Sequence, residues 1–189
     1  MTFSYEEAKA LNKIIQQTGL MFCLTHTYTG YPMIKEAKHL IATGVIGKVR
    51  KVYVEYPQGW LWNKLENTDY KQAIWRTDPS KSGIANCMGD IGTHAFNLAE
   101  YVSGLKLTKL CADLNSVVEG RTLDDDGAVL LRFEDGASGV LMATQIAPGA
   151  ENNIKIRVYG EKAGLEWEQD NANSLIVRHP EAPDQIYRT

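Results

Sequence analysis

The feature that most limits the fold is a run of short strand-like segments in the second half of the chain. Six segments rich in alternating apolar residues lie at 107–118, 128–134, 137–146, 153–160, 164–170 and 174–179. Turn signals separate them, most clearly the Asp135-Gly136 dipeptide, which favours tight hairpins, and "GEKAG" at 160–164. Strands joined by short turns pair antiparallel, so this region predicts a sheet built from hairpins. The tail from Pro180 shows no further element.

A helix and an apolar run open the chain. Residues 4–18 begin with Ser4 as N-cap and Glu7 three positions later, which is the capping-box pattern. The run "LMFCL" at 20–24 follows at once and is wholly apolar. Such a run is typical of a strand covered on both faces. Because one helix–strand unit cannot bury its own strand, we expect the rest of that sheet to be supplied elsewhere.

Further helix and strand patterns come before the hairpins. A helix is predicted over 32–43, with proline at its first position, and a strand over 48–56. The long irregular stretch 57–89 is of the kind that carries function or a short helix. Helices ahead of a hairpin-built sheet predict an α+β fold, with a mainly antiparallel open sheet and helices on one face.

The stretch 87–104 predicts an amphipathic helix with ionisable residues along the edge of its buried face. Four apolar residues recur at helical spacing, namely Ile91, Ala95, Leu98 and Val102. Asp90 and His94 lie four positions apart at the edge of that stripe. Asp90 is either a helix N-cap with His94 beside it, or the partner of a histidine that acts as general acid or base near neutral pH. Gly92, between them, suits ligand approach or close packing.

A metal site is a third interpretation of this stretch. His26, Cys87, Asp90 and His94 together offer four ligands, although no pair has a zinc-like motif spacing. Elsewhere, Gln58 and Trp60 follow a strand end, where they either bind a sugar or cover the core edge.

Three more stretches contain polar or charged residues with a possible functional or structural role. Tyr28 follows the first apolar run, where α/β sheets place ligands. Arg76 suits an anion or a surface ion pair. The acidic run 124–126 suggests a solvated turn.

Composition excludes several functional classes. The chain has 189 residues and a net charge of −3 with no basic stripe, so we do not expect a nucleic-acid partner. No apolar run approaches the ~20 residues of a membrane span. Three scattered cysteines form no disulfide framework, which favours a cytoplasmic setting. Glycine fingerprints of nucleotide sites are absent from these residues, so we expect no bound cofactor on this chain.

The stretch 75–104, "WRTDPSKSGIANCMGDIGTHAFNLAEYVSG", resembles the signature of the Gfo/Idh/MocA oxidoreductases. The motif W-R-x-D-P … D-x-G-x-H is matched at Trp75, Arg76, Asp90 and His94, among others, and the order of the surrounding elements is similar along nearly the whole chain. "YPQGWL" is similar to the sugar-handling branch that includes levoglucosan-type dehydrogenases. These are NAD(P)-dependent enzymes with an N-terminal Rossmann domain and a C-terminal α+β domain.

The resemblance implies a division of the chain and a set of roles. Residues 1–28 are expected to be the last αβ piece of a truncated Rossmann domain, and 29–189 a substrate-binding and oligomerisation domain, incomplete at its C-terminus. The resemblance assigns His94 as acid/base and Asp90 as its partner, with the remaining candidates in the substrate pocket: Tyr28, Gln58, Trp60 and Arg76.

The same resemblance implies the wider function. The intact enzyme would use NAD or NADP to oxidise a secondary hydroxyl of a sugar or polyol, and would assemble as a homo-oligomer through the sheet. We expect this chain alone to be inactive. A non-catalytic oligomerisation module and a metal-dependent lyase or isomerase remain alternatives.

Overall fold

A computed structural model describes residues 2–189. Its helices are α1 (Tyr5–Thr18), α2 (Pro32–Ala42), α3 (Lys71–Arg76), α4 (Pro79–Ser82) and α5 (Thr93–Ser103), the last preceded by a π-helical turn at Met88–Gly92. The strands are β1 (Val49–Pro57), β2 (Leu107–Asn115), β3 (Asp126–Phe133), β4 (Ser138–Thr144), β5 (Lys155–Gly160), β6 (Gly164–Glu168), β7 (Ser174–His179) and β8 (Ala182–Arg188). The predicted α+β class is confirmed.

All eight strands form one open sheet in the order β2-β3-β4-β1-β5-β6-β7-β8. Every pairing is antiparallel except that between β1 and β4, which run parallel. The predicted turns join β3 to β4 and β5 to β6. At the first, Asp135 and Gly136 both adopt positive φ, 60° and 83°. The expectation of no element after Pro180 is wrong, because β8 pairs along β7 there.

Strand β1 separates β4 from β5, so the connection between those two strands crosses the end of β1. This crossing connection, residues 145–154, is hydrogen-bonded to the segment that follows β1: Leu61 N–H donates to Gln145 O at 3.0 Å, and Ala147 N–H donates to Gln58 O at 3.1 Å. Gly59 permits the close approach, since a Cβ there would lie 2.4 Å from Ala147 O. The crossing therefore brings side chains from two distant parts of the chain to one end of β1.

Helices α2 and α5 cover one face of the sheet. The predicted apolar stripe, which runs from the π-helical turn into α5, is buried in full, with exposures of 3% or less at Ile91, Ala95, Leu98 and Val102. Alternate residues of the central strands meet it from the sheet, because successive strand side chains point to opposite faces. The largest fully buried side chain is Trp167 on β6, whose indole N–H donates to Ala172 O. The core thus lies between the two helices and the sheet, and it anchors the helix that bears His94.

The first apolar run does not form the predicted strand. Helix α1 is present with Ser4 as its N-cap, but residues 19–26 have no strand partner in the part of the chain that the structure describes. Leu20 and Met21 are 72% and 99% exposed. A strand is completed by hydrogen bonds to a neighbouring strand, and none of the eight strands pairs with this segment. Residues 2–189 include no helix that could span a lipid bilayer.

Candidate functional site

The turn that carries Asp90 is held by a distant carboxylate. Asp124 Oδ1 accepts from Asn86 N–H at 2.8 Å, and its Oδ2 accepts from Met88 N–H at 2.6 Å. These are the orphan donors that every helix start leaves. Asp124 is therefore the cap, and the interpretation of Asp90 as N-cap is wrong because Asp90 lies inside the turn. The expectation of a solvated turn at 124–126 is also wrong, since Asp124 and Asp125 are 9% and 0% exposed.

Two side chains from other elements hold the Asp90 carboxylate. Arg76 Nε donates to Asp90 Oδ2 at 3.2 Å, and Gln145 Nε2 donates to the same oxygen at 3.0 Å. Gln145 is fully buried at the start of the crossing connection. The Arg76 guanidinium also lies over the ring of Trp75, 4.3 Å from its centroid. Arg76 therefore acts here as an ion-pair partner of Asp90.

His94 faces a second histidine rather than Asp90. Its Nδ1 lies 3.3 Å from Nδ1 of His26, and the two rings meet edge to face with centroids 5.1 Å apart. Burial lowers the pKa of His94 below its usual value, and the charge of Asp90 partly opposes that effect. Burial, and then the proximity of His94, lower the pKa of His26. Burial therefore favours the neutral form of both imidazoles, the form in which a histidine can accept a proton.

A directed chain of hydrogen bonds runs along the end of β1. The indole N–H of Trp60 can only donate, and it donates to Gln58 Oε1 at 3.0 Å. Gln58 Nε2 then donates to Asn152 Oδ1, which also accepts from the Tyr56 hydroxyl at 2.6 Å. Because the Tyr56 hydroxyl donates its only proton to Asn152, its oxygen accepts a hydrogen bond from the Tyr28 hydroxyl. One obligatory donor thus sets the direction of every bond in the chain.

These groups surround a cleft of about 370 Å³. Five of the six side chains proposed from sequence line it: Gln58, Trp60, Arg76, Asp90 and His94. Tyr28 does not; it is buried behind Tyr56, with its ring edge-on to His94 at 5.3 Å between centroids. Tyr56, Tyr70 and Gln72 complete the polar lining. The arrangement places one imidazole among several hydroxyl-binding groups.

A buried arginine fastens the wall of the cleft. Arg121, with 2% of its side chain exposed, bonds Glu66 through two nitrogens, Asp125 at 3.1 Å, and the carbonyls of Leu61 and Asn63. Burial alone would raise the pKa of Glu66, but the hydrogen bonds that its carboxylate accepts and the charges of Arg121 and Lys64 together outweigh burial and lower that pKa. This clamp ties the segment after Trp60 to the loop that supplies Asp124.

Sequence reasoning missed six polar residues that line or support the site: Tyr56, Tyr70, Gln72, Asp124, Gln145 and Asn152. None of them lies within a helical turn or hairpin of His94, so no local spacing joins them to it. The placement of Gln145 and Asn152 in a turn-like stretch between two strands was the one available signal.

The two remaining sequence interpretations have clear structural outcomes. Among residues 2–189, no three His, Cys, Asp or Glu side chains converge as metal ligands would, and Cys87 is buried beneath the helix start. The geometry therefore gives the metal-dependent alternative no support. A Cβ on Gly92 would lie 2.1 Å from the sulfur of Met88, so this glycine serves packing.

Comparison with known proteins agrees with this architecture. Residues 34–166 match the GFO/IDH/MocA C-terminal domain. An inositol dehydrogenase homologue from Azotobacter vinelandii, solved with NAD+, has a TM-score of 0.94 and 30% identity over 98% of this chain and 48% of its own. An oxidoreductase from Sinorhizobium meliloti has a TM-score of 0.85 and 42% identity, over 99% of this chain and 48% of its own.

Levoglucosan dehydrogenase from Pseudarthrobacter phenanthrenivorans is 25% identical over 207 residues, covering 97% of this chain and 50% of that protein. The chain thus spans about half the length of the curated relatives that it matches. The family match covers well over half of the chain. The chain therefore belongs to the GFO/IDH/MocA family of oxidoreductases, and residues 34–166 are its C-terminal domain.

Proposed function

We propose that this chain is the substrate-binding part of a nicotinamide-dependent dehydrogenase that oxidises a secondary hydroxyl of a sugar or polyol. The observation that carries the proposal is the position of the His94 imidazole, whose pKa is lowered by burial, in a cleft lined by amide, phenol, indole and carboxylate groups. Such groups bind polyhydroxylated ligands through hydrogen bonds and ring stacking. The relatives named for inositol and levoglucosan oxidation support this substrate class.

Each residue of the site has a separate role in the proposed alcohol oxidation. Since Nδ1 of His94 faces His26, Nε2 is the nitrogen left for the cleft, and it takes the hydroxyl proton as general base. Asp90, fixed by Arg76 and Gln145, stabilises the imidazolium that forms. Gln58 and Trp60 orient the neighbouring hydroxyls, with Tyr28 supporting their network. NAD or NADP, when bound by the intact enzyme, would supply the hydride acceptor for this oxidation.

The cofactor would be held by a second domain. These residues contain no glycine fingerprint, so they do not fit a dinucleotide by themselves. Residues 1–28 carry the docking surface we propose for that domain: α1 has no buried residue, and residues 20–24 expose an unpaired apolar edge. We therefore propose that 1–28 complete a Rossmann sheet, that 29–189 bind substrate, and that this chain alone does not turn over.

Fusion to a cofactor domain tests the proposal. The N-terminal half of levoglucosan dehydrogenase, joined ahead of this chain, should reduce NAD+ in the presence of levoglucosan, myo-inositol or a related polyol. His94→Gln in the same fusion should abolish the activity, whereas His179→Gln, on the distant strand β7, should not. A fusion that binds NADH but oxidises no polyol, or a His94→Gln fusion that keeps full activity, would refute the assignment.

The outer face of the sheet supports a second role, in assembly. Leu130 and Met142 are 51% and 47% exposed on neighbouring strands, and Val140 pairs with Leu130 between β3 and β4. We propose that a second copy of this chain covers the patch formed by these three side chains, because contiguous apolar surface of this kind marks an interface. Sedimentation of Leu130→Glu should show a weaker dimer than the wild type. A monomeric wild type would contradict the proposal.

We further propose a cytoplasmic setting for the protein. All three cysteines are free, and Cys23 and Cys111 are exposed. Exposed thiols persist in reducing compartments. Localisation of a tagged chain to an oxidising compartment would contradict this proposal.

A further inference from the structure

His26 and His94 come from segments 68 residues apart and meet through the same ring nitrogen, Nδ1. Since each Nδ1 either donates or accepts, a hydrogen bond between them requires one ring to carry its proton on Nδ1 and the other to carry it on Nε2. The contact therefore ties the tautomer of one histidine to that of the other.

Asp90 is not placed to set the tautomer of His94. Its carboxylate accepts from Arg76 and Gln145, and among the described residues the only side-chain hydrogen-bond partner of the His94 ring is His26. Asp90 acts on His94 through charge alone, by favouring the protonated imidazole. The orienting contact that a carboxylate makes in many catalytic histidine sites is made here by an imidazole.

The proposed role of His94 decides which ring donates. Nδ1 of His94 faces His26, so a His94 that accepts a proton in the cleft accepts it at Nε2 and carries its own proton on Nδ1. His94 is then the donor of the contact and His26 the acceptor, which places the proton of His26 on its Nε2.

We propose that His26 is a positioning residue that holds His94 in the Nδ1–H tautomer and so leaves its Nε2 lone pair free toward the cleft. This proposal rests on the proposed role of His94 as acid/base. Two hydrogen bonds hold the main chain of His26 and so position its ring: the His26 N–H donates to Leu24 O at 2.9 Å, and the Thr29 hydroxyl donates to the His26 carbonyl at 2.9 Å. The Tyr28 ring, edge-on to His94, restricts rotation of the imidazole. Base catalysis at Nε2 then needs no tautomer exchange before proton transfer.

Nitrogen-15 NMR of the imidazoles tests the proposal on this chain without any turnover. The four histidines are assigned by single substitution to glutamine, and the spectrum is recorded at a pH where His94 is neutral. We expect a pyrrole-like Nδ1 and a pyridine-like Nε2 for His94. His26→Asn, whose side-chain oxygen lies close to the position of the lost Nδ1, should keep that pattern. His26→Phe should shift His94 to a predominantly Nε2–H form.

Two controls separate the proposal from other effects. Asp90→Asn should lower the pKa of His94 and leave its tautomer unchanged, because Asp90 acts by charge. Far-ultraviolet circular dichroism checks that each variant is folded. A wild-type His94 protonated on Nε2 would overturn the proposal, whatever the variants do. An unchanged tautomer in a folded His26→Phe chain would overturn it equally. Failure of the polyol oxidation assay alone would instead count against the proposed function.

Discussion

Removing the Asp124 carboxylate should destabilise the fold at the start of the helix that bears His94. The carboxylate accepts two backbone hydrogen bonds, at 2.8 and 2.6 Å, and the residue is 9% exposed. A hydrogen bond to a charged group is worth about 1.5–3 kcal/mol, and a buried donor left without a partner keeps its desolvation cost. Asp124→Ala should therefore lower the free energy of unfolding by about 3–5 kcal/mol, more than the ~2 kcal/mol upper range for an exposed N-cap.

Asp124→Asn separates the contribution of the charge from that of the hydrogen bonds. Asparagine keeps one acceptor oxygen and loses the charge, so we expect a smaller decrease of about 1–2 kcal/mol. The assay is urea denaturation followed by the fluorescence of the four tryptophans, with all variants at one pH and salt concentration.

Asp126→Ala is the matched control for both variants. It changes the same charge two residues away, where the side chain is only half-buried. Its free energy of unfolding should stay within about 0.5 kcal/mol of the wild type. If Asp124→Ala and Asp126→Ala unfolded at the same urea concentration, Asp124 would not be the helix cap that the distances indicate.

Three further predictions concern buried groups. Burial, and then the nearby Asp124, raise the pKa of the Cys87 thiol, so Ellman's reagent should react rapidly with the two exposed cysteines and with Cys87 only after unfolding. Arg121→Ala leaves the fully buried Asp125 without an ionic partner, bonded only by the N–H groups of Val117 and Val118, so urea denaturation should show a loss of about 3–5 kcal/mol in the free energy of unfolding; a wild-type midpoint would contradict the clamp. The lowered pKa values of His26 and His94 mean that the unfolded chain binds protons first as pH falls below about 6.5, so stability should decrease there. Replacing both histidines with glutamine should flatten that decrease, and an unchanged pH profile would show that the pair does not cause it.

Much of the fold could be predicted because its signals are local. The cap at Ser4, the Asp135-Gly136 turn and the apolar stripe of α5 each depend on residues within one turn or hairpin. The predictions that failed concern features that depend on distant parts of the chain. Residues 20–24 have the composition of a buried strand, but a strand needs a neighbour that this chain does not provide. The residues of a strand likewise do not show which distant strand it pairs with, so the parallel pairing of β1 with β4 could not be predicted.

The candidate site divides in the same way. Helical spacing and the motif around it were enough to select Asp90 and His94 from the sequence. Only the tertiary structure gave Asp90 its partners and His94 its imidazole neighbour, because those contacts come from segments 14, 55 and 68 residues away. Periodicity describes which face of an element is buried, whereas contacts between distant segments depend on how the whole chain closes. The sequence by itself thus determined the type of element and its buried face, and the tertiary structure decided which side chain orients which.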